Sequence, residues 1–428
     1  MNTASDVRSA HPAAWYALPQ PQYLGGNDTQ LLRGGDEYFP ALIARIDRAT
    51  HEVWLATYIF HHDTAAEAVA AALARAARRG VRVRVVVDGF GTHKALPQLQ
   101  RWLDGSGASL VIFRPLERWW NWLQPGQLRR LHTKLCVVDG SFGFVGGINI
   151  IDDRNDLNHG LSEAPRLDFA VSLAGPVVAP IEQTVRAMWT RAAFGHDWRA
   201  EVASMARSAE PLTQARRLLR RLRILPALPP AEGAEGRPVR AAFVVRDNLR
   251  QRRSIERAYI EAIRGAARRV DIVCPYFYPG RAFRRTLIRA ARRGVRVRLL
   301  LQGKLDYRMA GLAARVLYDE LLAEGVQIYE YQAAFLHAKA AVIDDEWATV
   351  GSSNIDPLSL LLNLEANVAI HDEGFAGELL HAFETALTQS QQITVAPYQK
   401  GAWAVLGRGF VAWAAHWYLR MAGLSGRY

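Results

Sequence analysis

The sequence predicts an α/β fold made twice: two layered α/β domains of one pattern, packed pseudo-symmetrically around a single site. Three observations carry this. The pattern His-x-Lys-x-x-x-x-Asp occurs in LHTKLCVVD (131–139) and again in LHAKAAVID (336–344), 205 residues later. The heptapeptide RRGVRVR stands at 78–84 and, unchanged, at 292–298. Around both landmarks helical and strand-like patterns alternate in the same order, as layered α/β units require.

In the first copy EVWLATYIF (52–60) reads as a strand, AAEAVAAALARAARRG (65–80) as a helix and VVVDG (85–89) as the next strand. The second copy repeats them as VDIVCPYFY (270–278), GRAFRRTLIRAARRG (280–294) and LLLQG (299–303). Between the halves QARRLLRRLRIL runs into the proline- and glycine-rich PALPPAEGAEGRP. The expected organisation is a first domain over 1–204, a basic, Pro-rich linker over 205–240, a second domain over 241–397 and an amphipathic tail over 398–428.

Composition narrows the partners. Half of the 428 residues are apolar and 22% charged, which suits a globular protein and excludes a disordered one. The net charge of +12 favours polyanions, either nucleic acid or an anionic membrane face. Two cysteines, each in an apolar run, make no disulfide framework and fit a reducing compartment. The first 22 residues carry several prolines and no apolar core, so they read as neither signal peptide nor membrane span.

Lysine is scarce, five of 53 basic residues. Chance would give about 0.14 His-x-Lys pairs at this composition, before an Asp is required. On a strand, residues i and i+2 share a face, so His132 points with Lys134 and His337 with Lys339. Such a pair suits an anion: the ammonium holds a phosphate oxygen while the imidazole attacks phosphorus. Asp139 and Asp344 fall on the opposite face at a turn, and from the residues alone they read as structural. VGGIN (145–149) and VGSSN (350–354) follow each motif; small residues let backbone approach an anion, and Asn149 and Asn354 can donate to phosphoryl oxygens. Asp168 and Glu365 are carboxylates in apolar strands, where an unpaired charge is costly. Two partners fit them: the catalytic imidazoles, whose tautomer they would set, or nearby arginines. Each half offers one imidazole, so facing halves would place two across one phosphodiester, one attacking and one serving as acid and base. No His/Cys/Asp cluster has zinc-ligand spacing, and neither metal nor cofactor is expected.

These residues resemble the phospholipase D superfamily, whose signature is a pair of HxKxxxxD motifs, each followed by a GxxN element. LRRLHTKLCVVDGSFGFVGGIN, RLDFAVSLAGPVV, RDNLRQRRSIERAYIEAI and FLHAKAAVIDDEWATVGSSNIDPLSLLLNLEANV are similar to bacterial cardiolipin synthases, in the shorter subgroup without N-terminal membrane spans. The resemblance implies two phospholipase D-like α/β/α sandwich domains and a metal-free phosphohistidine intermediate. It also implies catalytic His132, Lys134, Asp139, His337, Lys339 and Asp344, with His132 the nucleophile and His337 the acid/base. Asn149, Asn354 and Ser352 would hold phosphate, and Glu365 is the downstream acid. Two positions depart from the pattern: Gly147 lacks the usual serine hydroxyl, and Thr133 stands where Arg is common.

The function implied is a phosphatidyltransferase taking phosphatidylglycerol as both donor and acceptor and releasing glycerol. The alternative is a phosphodiesterase of the same superfamily acting on phospholipid or nucleic acid. The expected partners are anionic phospholipid and a bacterial membrane surface rather than nucleic acid, with peripheral attachment to the cytoplasmic face of the inner membrane. The aromatic run RPLERWWNWLQPGQLRR (114–130) suits a lipid interface, though bases could stack on the same rings. The tail GAWAVLGRGFVAWAAHWYLRMAGLSGRY has no charge-free run near the roughly 20 residues a span needs. Its tryptophans and arginines fit either a headgroup boundary or a helix folded back on the protein.

Overall fold

The computed structural model describes residues 21–115, 130–156, 160–195, 239–246, 253–303, 317–356 and 363–394. The linker up to residue 238, the aromatic run within 116–129 and the tail 398–428 lie outside them.

The first half supplies strands β1 (Leu24–Arg33), β2 (Glu52–Thr57), β3 (Arg82–Asp88), β4 (Ser109–Phe113), β5 (Leu135–Val138) and β6 (Phe142–Gly146). A short ribbon, β7 (Asn155–Asp156) with β8 (Gly160–Leu161), precedes β9 (Phe169–Ala174). The second half opens on β10 (Val239–Arg246), two residues inside the span read as linker, then β11 (Arg269–Val273), β12 (Arg296–Gln302) and β13 (Gln327–Tyr331). It closes with β14 (Ala340–Ile343), β15 (Trp347–Gly351), β16 (Glu365–His371) and β17 (Ser390–Ile393).

Among the described residues these strands, the ribbon apart, form one sheet in the order β17-β13-β12-β11-β14-β15-β16-β10-β1-β9-β6-β5-β2-β3-β4. Apart from β17, the order on one side of the β1–β10 seam mirrors the other, which is the duplication seen in three dimensions. The seam itself is short and antiparallel, with Leu24 opposite Ala241 and Asn27 opposite Val239. Strands after the helical crossovers are parallel (β2–β3–β4 and β11–β12–β13), and β5 and β14, which begin directly after the two His-x-Lys triplets, add to them antiparallel.

Side-chain alternation assigns the layers. In β3, Val85 and Val87 enter a core under helices Gly34–Asp47, Thr64–Arg78 and Leu96–Leu103, while Val86 faces the opposite core. A matching core in the second half lies under helices Ser254–Gly265, Arg281–Arg292 and Tyr318–Ala323. The opposite face of both halves is one continuous core, with residues of helices Val178–Gly195 and Glu373–Thr388. That is an α/β/α sandwich, as the family resemblance implies.

Identical sequence does not fix identical neighbours. Arg84 of the first heptapeptide lies 4.8 Å from the rings of both Trp54 and Trp189. Its counterpart Arg298 instead pairs with Asp271 and Glu384, each at 2.6 Å. Both solutions keep a strand-borne guanidinium satisfied, one by aromatic faces and one by charge.

Candidate active site

Each imidazole is held by the other half of the chain. Leu131 forms a parallel bridge with Leu364, and His132 N–H donates to Leu364 O at 3.1 Å. This brings His132 Nδ1 to 2.9 Å from Oε2 of Glu365, the first residue of β16. Reciprocally, Leu336 bridges Leu167, His337 N–H donates to Leu167 O at 2.9 Å, and His337 Nδ1 lies 2.6 Å from Asp168 Oδ2. Both carboxylates are buried. A carboxylate on Nδ1 keeps the proton there and leaves Nε2 with its lone pair.

The lysines occupy the same site. Lys134 Nζ donates to His132 O at 2.6 Å, and Lys339 Nζ donates to His337 O. Burial, opposed by Glu365, lowers the Lys134 pKa to about 7, with Lys339 pushing the same way. Burial lowers His132 as well, with Lys134 and Lys339 contributing. For His337, burial and then Lys339 outweigh Asp168 and bring the pKa down to about 3. The site therefore brings neutral imidazoles together with lysines from both halves, whose ammonium forms a bound anion would favour.

Asp139 and Asp344 do not point into this site. The turns at their positions have positive φ, 51° at Asp139 with 64° at Gly140, and 53° at Asp344 with 68° at Asp345. These angles match the tight hairpin geometry that Asn, Asp and Gly tolerate best. Asp139 accepts from the N–H groups of Thr50, His51 and Glu52, each at 2.8 Å, and from Thr50 Oγ1 at 3.0 Å. Asp344 accepts from Ala267, Arg268 and Arg269 N–H in the same way. Each carboxylate thus fastens the hairpin carrying His-x-Lys to the start of the neighbouring strand.

Asn149 is buried and accepts from Ile59 N–H at 3.3 Å; Asn354 is buried with Oδ1 unpartnered. Ser352, expected on phosphate, is turned away from open space. Its hydroxyl donates to Glu365 Oε2 at 2.6 Å and accepts from Ala366 N–H at 3.1 Å. Gly147 takes the equivalent place in the other half, and a Cβ there would overlap Asp168 Oδ1. The absent hydroxyl is explained locally: the shorter Asp168 side chain fills the space that a serine would need.

Three contributors are not singled out by the motifs. Tyr58 sets its ring edge-on to His132, centroids 4.9 Å apart, with Lys134 Nζ 5.4 Å from the ring centre. Asp88 accepts Leu131 N–H at 2.9 Å, while in the other half Gln302 accepts Leu336 N–H at 2.7 Å. Burial raises the Asp88 pKa to about 6 against the pull of Arg130. The signal for Asp88 and Gln302 was the strand end after each RRGVRVR, VVVDG and LLLQG, where one polar residue precedes glycine.

The family model described as the cardiolipin synthase, phospholipase D-like domain matches residues 42–162 and 259–387, once in each half. Cardiolipin synthase B of Shigella flexneri is 37% identical over 353 residues, 82% of this chain and 78% of that protein. The chain belongs to the cardiolipin synthase family. Cardiolipin synthase A of Pseudomonas putida strain KT2440 is 32% identical over 87% of this chain and 70% of its own. Among solved structures, phosphatidylserine synthase of Haemophilus influenzae superposes with a TM-score of 0.63, covering 95% of this chain and 98% of that one. At 12% identity that likeness speaks for the fold alone. In this cardiolipin synthase family member, no helix among the described residues is long and apolar enough to cross a membrane.

Proposed function

We propose that this protein is a phosphatidyltransferase that joins two phosphatidylglycerol molecules into cardiolipin and releases glycerol. The observation that carries the reading is the pair of imidazoles, each oriented through Nδ1 by a carboxylate from the opposite half, in a chain 37% identical to a cardiolipin synthase B.

The family resemblance assigns the attack to His132 and the acid/base role to His337, and the geometry supports two oriented imidazoles. Nε2 of His132 attacks phosphorus of the donor, forming an N–P bond as the P–O bond to glycerol breaks. In this reading Lys134, Lys339, Asn149 and Asn354 bear the phosphoryl charge. The bound phosphodiester anion raises the proton affinity of neighbouring His337, which takes a proton from water and passes it to the departing glycerol oxygen. His337 is then neutral and accepts the proton of the second phosphatidylglycerol hydroxyl as that oxygen attacks phosphorus and frees His132; it returns this proton to water, which closes the cycle. Asp139 and Asp344 act through the hairpins, and Ser352 through Glu365.

Substrate and net charge support peripheral work at an anionic bilayer, which in this reading is the cytoplasmic face of a bacterial inner membrane. The test is incubation with vesicles of phosphatidylglycerol followed by lipid analysis. Cardiolipin and glycerol in equal amounts are expected; phosphatidic acid alone would make the protein a hydrolase.

A further inference from the structure

Among the described residues two large apolar side chains are exposed, Phe90 at 53% and Leu161 at 87%. Single surface apolar residues are ordinary. The position of these two is not, because both stand on loops anchored to one short segment beside His132.

Phe90 lies on the loop after β3. Asp88 Oδ1 accepts Phe90 N–H at 2.8 Å, while its Oδ2 holds Leu131, the residue before His132. Two residues on, Thr92 Oγ1 donates to Tyr58 O and accepts from Phe60 N–H, both at 3.1 Å. Leu161 lies on the β7–β8 ribbon, paired with Asn155. Asn155 Nδ2 donates to Asp63 Oδ2 at 3.2 Å and lies 3.3 Å from His61 Nδ1. The two anchors are thus three residues apart along the chain, from Phe60 to Asp63, a reach of about 10 Å at most. Tyr58, at the start of that segment, touches the His132 ring.

Cations stand near the tips along the chain. The Arg130 guanidinium, largely buried and 3.9 Å from Asp88 Oδ1, lies 5.3 Å from the Phe90 ring. Lys94 and Arg154 are exposed, Arg154 in a long 4.0 Å pair with exposed Asp36, and Glu163 is the exposed carboxylate on the ribbon side. Two separated apolar tips among cations give too little contiguous area for a stable protein interface. They fit a boundary where each side chain enters acyl chains singly and the cations meet phosphate.

We propose that Phe90 and Leu161 are the docking tips of the active-site mouth, inserting into an anionic lipid surface so that the lipid phosphates rise directly to His132. This rests on the reading that the substrates are bilayer phospholipids.

The test uses the full-length protein with single reporter thiols. Cys136 and Cys274 are buried and burial raises both thiols, so F90C and L161C would each give one reactive site for an environment-sensitive fluorophore. Both labels are expected to shift to apolar emission on adding phosphatidylglycerol-containing vesicles, and not with vesicles of phosphatidylcholine. The F90S/L161S pair is expected to lower partition onto those vesicles by about tenfold or more. Labels that stay aqueous while the protein sediments with vesicles, or undiminished partition of the double variant, would overturn the proposal. Wild-type activity in detergent micelles of phosphatidylglycerol, which need no docking, tests the functional reading separately.

Discussion

His132 and Glu365 are 233 residues apart in sequence and 2.9 Å apart in space. Because Glu365 sits on the other half, neither half holds a complete imidazole–carboxylate pair. Glu365→Gln is expected to lower kcat by about 10²–10⁴, as loss of a tautomer-setting carboxylate does elsewhere. The combined H132A/E365Q variant should be no slower than H132A, since the carboxylate has no role without its imidazole. Steady-state rates on phosphatidylglycerol micelles decide this; additive losses would place Glu365 outside the pair.

His132→Ala and His337→Ala should each reduce turnover by at least about 10²–10⁴. Rapid quenching with labelled donor should trap the phospho-adduct on His132, located by mass spectrometry. An adduct on His337 would exchange the two roles.

Gly147→Ser is expected to displace Asp168, because any Cβ at 147 overlaps that carboxylate. Turnover should fall by about tenfold or more, as happens when a catalytic group is mispositioned. Adding Asp168→Glu recreates the Ser–Glu combination of residues 352 and 365, and should recover part of the loss. If G147S/D168E is no better than G147S, the size match is not what the site depends on.

Asp139→Asn and Asp344→Asn should lower the melting temperature together with activity. For Asp139 burial alone would raise the pKa, but the Thr50, Glu52 and His51 N–H groups outweigh it and hold it low; Ala267, Arg269 and Arg268 do the same for Asp344. A carboxyl with a depressed folded-state pKa contributes stability above its unfolded value, about 3.9, and loses it as pH falls through the folded one. Melting curves from pH 6 to pH 3 should therefore converge between wild type and the Asn variants. Curves that stay parallel would mean that charge is not what fastens the hairpins.

The imidazoles give a second acid window. Burial lowers both His132 and His337, the latter to about 3, so the unfolded chain binds these protons first. Stability should decline as pH drops from about 6.5, the ordinary histidine value, toward 3. Phosphate, a mimic of the bound anion, favours the protonated folded site and raises its pKa, so it should make this decline smaller. Denaturant titrations at several pH values with and without phosphate measure both effects.

Much of this was legible in the chain. The repeated HxK with repeated RRGVRVR announced the doubled sheet, although His132, Lys134, His337 and Lys339 stand just ahead of β5 and β14 and not within them as the i, i+2 reading expected. The off-period Asp139 and Asp344 read as turn residues, where the hairpins place them. Less visible was which half would serve which imidazole. Asp168 and Glu365 precede or begin strands next to the seam, and only the mirror order across β1 and β10 carries each past its own histidine. The partner of the Ser352 hydroxyl was not legible for a related reason: it faces whichever carboxylate is near, and that carboxylate's length, Glu rather than Asp, is a three-dimensional matter.

Two copies of a motif on one polypeptide also inherit independently. In a dimer of identical chains every substitution strikes both symmetric positions at once, so a change helpful at one imidazole but harmful at the other is discarded. Here codon 147 and codon 352 are separate, and so are those for Asp168 and Glu365, Asp88 and Gln302. Each imidazole has been free to acquire its own surroundings, which is what a reaction with one attacking and one proton-shuttling histidine rewards.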